Sequence, residues 1–263
     1  TSLIMKEKLR KHIYKYEEFK SQLGSKRSCP ICKNRSHNIW NKYLFFKTVE
    51  CLKCGMIYLE KILKKEYLDK YYSNYVKFRV QNKKKAFLRK KMYEIDLHYL
   101  KLYKDKGKLI DVGCSNGSFL NLLKNKYNCY GIDVDAKAIK IAKNIKKIKN
   151  KLFNYDLSTL KNKLGKFDII IFRGVIEHVE NPKEYFDCAS KILKKNGIIF
   201  ISATPNVNSP CAYVFKEKWN QFDPIQHINL FSSKTLVKLA NKFNLKLIGE
   251  HYPYINTPYE NFK

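Results

Sequence analysis

From residue 108 onward, apolar runs alternate with stretches of helical period. KLIDV (108–112) predicts a short buried strand and GSFLNLLKNK a helix. CYGIDV predicts a second strand and DAKAIKIAKNIKK a second helix, with Asp135 placed as its N-cap. A short third strand is expected near residues 151–154. FDIIIF is a strongly apolar fourth strand, and NPKEYFDCASKILKKNG a helix stopping at Gly197. IIFISAT then predicts a fifth strand, SSKTLVKLANKF a last helix and LKLIGEHY a sixth strand. Strands alternating with helices predict an α/β fold, its mostly parallel sheet covered by helices on both faces.

The earlier chain reads differently. Residues 1–28 read as a basic, amphipathic helical lead-in. Residues 29–60 alternate in short β-like pieces between two cysteine pairs. Residues 61–105 carry Phe87, Leu88, Met92, Ile95, Tyr99 and Leu102 at helical spacing, which predicts a helical connector. The α/β domain then covers 106–263. Within it, residues 205–231 have no clean period but are rich in aromatics, which predicts an ordered cap over a ligand.

The cysteine pairs carry the first chemistry. CPIC and CLKC place Cys29, Cys32, Cys51 and Cys54 as Cys-x2-Cys-x18-Cys-x2-Cys, the spacing of a zinc ribbon. Four thiolates make a tetrahedral site that selects zinc over harder ions. Disulfides and an iron–sulfur centre are the competing readings. Four cysteines close the shell, so the zinc is expected to be structural. Cys114, Cys129, Cys188 and Cys211 lie in apolar segments and read as small packed residues.

Charge changes the picture less than its size suggests. The chain of 263 residues has 53 basic and 23 acidic residues, a net charge of +30. Such an excess suits a nucleic-acid partner or a small anionic substrate. Only six of the basic residues are arginines, the better group for paired phosphate contacts, so nucleic acid is the less favoured partner. No run of 18 apolar residues occurs, so no transmembrane helix is expected, and cytoplasmic residence is the default.

The glycine turn LIDVGCSNGSFL (109–120) decides the class. It lacks the GxxxxGK[ST] of a phosphate loop and the GxGxxG of a dinucleotide site. Asp111 would repel a pyrophosphate and suits a ligand with positive charge near the turn. Asp111, Gly113 and Gly117 resemble the [DE]xGxGxG motif of class I S-adenosylmethionine (SAM) dependent methyltransferases, with Ser115 in place of the middle glycine. That resemblance implies a Rossmann-like domain with SAM as cofactor. It implies that Asp133, 20 residues after Gly113, receives the ribose hydroxyls and that Asp156 lies by the adenine.

FDIIIFRGVIEHVENP resembles the FDxIxxxxxxEHxxxP run of small-molecule methyltransferases of the ubiquinone-biosynthesis type. SATPN and HINLFSSKTL fit the same subgroup. A ribbon ahead of such a domain resembles sugar and natural-product methyltransferases with an N-terminal zinc-binding domain. The expected reaction is O-methylation of a small anionic acceptor, such as a sugar nucleotide or phosphorylated intermediate of surface-polysaccharide biosynthesis. The rival is a ribosomal RNA methyltransferase that binds RNA with its ribbon and basic helices. His178 is the expected base, His227 its helper in the cap, and Glu177 the group that orients them.

Overall fold

The computed structural model describes residues 19–68, 83–160, 163–219 and 221–252. Most of the expected lead-in, part of the connector and residues 253–263 lie outside the described residues.

The sheet of the second domain has five parallel strands: β4 (Lys108–Val112), β5 (Asn128–Ile132), β6 (Leu152–Phe153), β7 (Phe167–Arg173) and β8 (Leu193–Ser202). Their order is β6-β5-β4-β7-β8. β4 and β7 lie centrally, and their residues alternate between two cores. Leu109, Ile169 and Ile171 face one side, where Leu100, Phe119, Leu120 and Leu123 cover them. Ile110, Val112, Ile170 and Phe172 face the other, against Leu157, Leu160, Ala189 and Ile192. A strand buried on both faces has no polar alternation, which is why FDIIIF reads as a continuous apolar run.

Two boundaries differ from the sequence expectation. The helix Pro182–Ile192 stops five residues before Gly197. Leu193 already pairs with Phe167, so β8 starts there. The next pair is Ile169 with Ile198, which loops out residues 194–197, with Asn196 at φ 61°. Asparagine tolerates that left-handed turn better than other side chains. The second difference is LKLIGEHY, which forms no strand. It lies instead against the long helix Lys83–Tyr103: the ring of His251 is 4.3 Å from that of Tyr99, and its Nε2 is 2.6 Å from the Tyr103 hydroxyl.

The cysteine segment folds as an antiparallel ribbon of β1 (His37–Tyr43), β2 (Phe46–Cys51) and β3 (Ile57–Leu59). Its sheet continues into the second domain. β9 (Asn229–Leu230), from the end of the expected cap, pairs antiparallel with β3. The ribbon core also merges with the domain core, since Cys29, Val49, Met56 and Tyr58 pack with Ile176, Phe186, Phe231 and Leu239. Earlier in the expected cap, Pro210–Phe215 form a helix. No helix among the described residues is long and apolar enough to cross a membrane.

Gly131, in the middle of β5, shows how tightly the first core is filled. A Cβ there would lie 2.6 Å from Leu120 Cδ1 and 2.8 Å from both Cys114 Sγ and Leu152 Cδ2. Gly131→Ala is therefore expected to destabilise the domain by about 1–3 kcal/mol through overpacking. A lower urea midpoint at unchanged m-value would show it, and an unchanged midpoint would refute it.

Candidate active site and cysteine centre

Asp111 and the glycine turn stand at the C-terminal edge of β4, where open parallel sheets present their ligand sites. Gly113 has φ 74°, and a Cβ there would lie 2.6 Å from Val175 Cγ2. Both conformation and packing therefore demand glycine. Ser115, in place of the family's middle glycine, also takes the left-handed region, at φ 51°. Its backbone N–H donates to Asp133 Oδ2 at 2.8 Å, and the Asp135 N–H donates to Oδ1 at 2.8 Å. Asp133 thus shapes the turn from the end of β5. A carboxylate oxygen offers two acceptor sites, so one can hold a backbone N–H and a hydroxyl together.

Asp156 is engaged locally. Its Oδ1 accepts from the Ser158 N–H at 2.8 Å, and Oδ2 accepts from the Tyr185 hydroxyl. The carboxylate therefore caps its own turn and holds Tyr185. It lines the same cleft as Gly113, Ser115 and Asp133.

Asp111 is fully buried, and its Oδ1 has no hydrogen-bond partner among the described residues. Burial pushes its pKa up to about 7, against the pull of the Arg173 guanidinium. Such an atom is costly unless a donor meets it. A cationic ammonium is the complementary group.

Arg173 ends β7 on the same face as Asp111. Its Nε donates to the buried Asp96 at 2.7 Å, and its guanidinium lies 4.4 Å from the centre of the Tyr93 ring. The sequence expectation contained neither residue. A signal was present, because Met92, Asp96 and Leu100 form a buried stripe at helical spacing with an acid in its middle.

Glu177 and His178 are neighbours in the chain, and His227, some fifty residues later, meets them in space, one ligand-type atom from each lying within 4.8 Å of the others. His178 Nδ1 lies 2.8 Å from the Gln226 carbonyl, and His227 Nδ1 lies 2.6 Å from the Gln221 carbonyl. A carbonyl oxygen only accepts, so each Nδ1 carries a proton and each neutral ring keeps its lone pair on Nε2. His178 Nε2 is 3.7 Å from Glu177 Oε1, and the other Glu177 oxygen accepts from Thr204 Oγ1 at 3.0 Å. Burial raises the Glu177 pKa. Burial, then the neighbouring His178, lowers that of His227. A proton held between the His178 Nε2 and the Glu177 carboxylate would satisfy both.

In the ribbon, Cys29 Sγ is 3.5 Å from Cys54 Sγ, and Cys32 Sγ is 3.5 Å from Cys51 Sγ. All four sulfurs lie within 4.8 Å of one another. Tetrahedral ligation at about 2.3 Å needs sulfurs about 3.8 Å apart, so the set fits one thiophilic ion. Burial raises the Cys51 pKa, but the backbone N–H groups of Cys54 and Lys53, with Cys32 and Asn34, outweigh it and bring it to about 7. His37 turns away and pairs with Glu60 at 3.6 Å.

A family model for a methyltransferase domain matches residues 85–250. The chain is similar to the ubiquinone biosynthesis O-methyltransferase of Pelagibacter ubique, at 34% identity over 152 residues, 53% of this chain and 62% of that protein. The mitochondrial ubiquinone biosynthesis O-methyltransferase of Dictyostelium discoideum is 36% identical over 109 residues, 36% of this chain and 34% of that protein. The chain thus spans less than two thirds of the length of these relatives. Among solved structures, the magnesium protoporphyrin IX methyltransferase of Synechocystis shares the fold with a TM-score of 0.55 at 16% identity, over 71% of this chain and 91% of that one. The chain belongs to the class I SAM-dependent methyltransferases.

Asp111 generates a pH prediction. Below about pH 7 the unliganded carboxyl holds a proton, which must leave before an ammonium can dock. Affinity for S-adenosylhomocysteine is expected to level off above that pH and to fall below it, approaching tenfold per pH unit. Calorimetry across this range checks it, and a flat profile would remove Asp111 from the cofactor site.

Proposed function

We propose that this protein transfers a methyl group from SAM to a hydroxyl oxygen of a small acceptor, with His178 as base and His227 and Glu177 as its partners. One observation carries the reading: the His178 Nε2, the His227 ring and the buried Glu177 carboxylate converge beyond the end of β7, in the cleft that the glycine turn also lines. SAM supplies an activated methyl group, so the protein's work is to position the acceptor and take its proton. Asp111 receives the ammonium of the cofactor, and Asp133 receives its ribose hydroxyls. Gly113, Ser115 and Gly117 let the cofactor approach the backbone, and Asp156 borders its adenine. His178 Nε2 takes the acceptor proton as the oxygen gains the methyl group. Glu177 steadies the imidazolium that results. His227, kept neutral by burial, binds the acceptor hydroxyl or shares the proton.

Support for oxygen as the accepting atom comes from the similar proteins, which are named O-methyltransferases. Lys33, Lys65 and Lys195 line the cleft, alongside Lys26 and Lys194, which pair with Glu60 and Asp168; this basic lining supports an anionic acceptor such as a sugar nucleotide or phosphorylated intermediate. The four ribbon cysteines are proposed to hold one structural zinc ion.

The test begins with a transfer screen using labelled SAM against metabolite pools, with RNA and chelator-treated samples as separate arms. With the acceptor identified, His178→Ala is expected to lose about 10²–10⁴ in kcat with S-adenosylhomocysteine affinity kept. The acid limb of the His227 contribution should fall below the ordinary histidine range. Near-wild-type turnover of both His178→Ala and His227→Ala would remove the base assignment, and RNA as the labelled product would overturn the small-molecule reading.

The zinc proposal predicts one ion per chain in protein purified without chelator. Cys51→Ser should abolish that stoichiometry and lower the melting temperature, because the ribbon shares its core with the domain. Metal analysis without zinc would refute it.

A further inference from the structure

The acceptor histidines lie on loops, yet they are held from the ribbon. His178 is in the turn after β7. The backbone N–H of Asn229 donates to the Glu177 carbonyl at 3.1 Å, and its side-chain amide donates to the Val179 carbonyl at 2.7 Å. Arg27 approaches the same turn from the ribbon side. Its Nη2 donates to the Glu180 carbonyl at 2.9 Å and to Asn229 Oδ1 at 3.3 Å, and its Nη1 donates to the Ile228 carbonyl at 3.4 Å. Leu59 N–H, in β3, donates to that Ile228 carbonyl at 3.0 Å. The Ile228 carbonyl is one residue from His227, and the Glu180 carbonyl is two residues from His178.

Arg27 is itself anchored to the ribbon. Its N–H donates to the Glu60 carbonyl at 2.8 Å, and it precedes the first cysteine knuckle by two residues. The second knuckle, Cys51 to Cys54, joins β2 to β3, the strand that pairs with β9. The cofactor side is tied to the ribbon less directly. Asp111, Gly113 and Asp133 belong to β4, β5 and their turns, whose two cores include no ribbon residue among the described residues and meet the ribbon core through the shared, partly buried Tyr185, Ile201 and Leu245.

We propose that Arg27 and Asn229 are positioning residues, through which the folded cysteine ribbon sets the places of His178 and His227 while the cofactor half of the site stands independently. The metal held by Cys29, Cys32, Cys51 and Cys54 then controls acceptor chemistry from outside the cleft. This rests on His178 and His227 acting on the acceptor. That reading is tested by transfer rates, whereas the present one is tested by ring environment and cofactor affinity, so each can fail alone.

The experiment uses the full chain with its metal. Histidine Cε1–H cross-peaks of His178 and His227 are assigned with the single His→Ala variants, and His98, on the long helix and outside the cleft lining, serves as the control. In Arg27→Met the two acceptor-side peaks should shift or broaden and the control stay in place. S-adenosylhomocysteine affinity should hold within about threefold. Arg27→Lys keeps the charge but loses the two-pronged fork, so it should move the same two peaks by less. Removal of the metal by chelator should reproduce the Arg27→Met pattern. On the acceptor found by the screen, Arg27→Met should lower kcat at least about tenfold with KM for SAM unchanged.

Two results would overturn the proposal. One is acceptor-side peaks that stay in place in both variants. The other is cofactor affinity that collapses in step with the peak shifts, which would make Arg27 a brace for the whole domain. Should Arg27→Met fail to fold, Arg27→Lys decides between the same outcomes.

Discussion

The fully buried amide of Asn229 is the constraint on which the turn carrying Glu177 and His178 depends. A primary amide taken out of water must find partners for both donors and acceptor, or each costs a kcal/mol or more. Here the side-chain N–H groups go to the carbonyls of Val179 and Ile176, and the side-chain oxygen receives Arg27. The three partners belong to the turn after β7 and to the ribbon. Satisfying one side chain therefore locks two distant segments and the cap strand between them. The ribbon follows as an integral part of the domain, with β3 and β9 in one sheet and the cysteines in one core with Ile176 and Phe231.

The cofactor side obeys a different rule, set by charge rather than by hydrogen-bond count. Asp111, Asp96 and Arg173 are three charged groups removed from water on one face of the sheet. Asp96 and Arg173 compensate each other at 2.7 Å, and the Tyr93 ring covers the guanidinium. Asp111 lacks a comparable donor on Oδ1 and is correspondingly forced towards its neutral form. A buried acid in this setting is complementary to a cationic group. The glycine turn meanwhile depends on Asp133, whose two oxygens hold the N–H groups of Ser115 and Asp135 before any ligand arrives.

Much of this was legible along the chain because it is local. The order of strands and helices, the glycine turn and the paired cysteines each depend on residues a few positions apart. The misreadings have a common origin in partners supplied from elsewhere. LKLIGEHY carries a strand-like pattern, but Tyr99 and Tyr103 of the long helix engage the end of that segment. The helix expected to reach Gly197 ends early because Phe167 already claims Leu193. Asp96 went unread because an acid in a lysine-rich helix looks solvated until Arg173 is placed beside it.

The sequence by itself determined the class of fold, the thiol set and the acids at the strand ends, because hydrophobic period, turn chemistry and ligand spacing are short-range properties. Only the tertiary structure decided that His178 and His227 face one carboxylate, that their Nδ1 protons are spent on the Gln226 and Gln221 carbonyls, and that Arg27 reaches across to Glu180. Those contacts join residues 48 to 153 positions apart or lie in a loop without periodicity. No pattern along the chain encodes them, because they arise only once buried polar groups must find partners in the folded core.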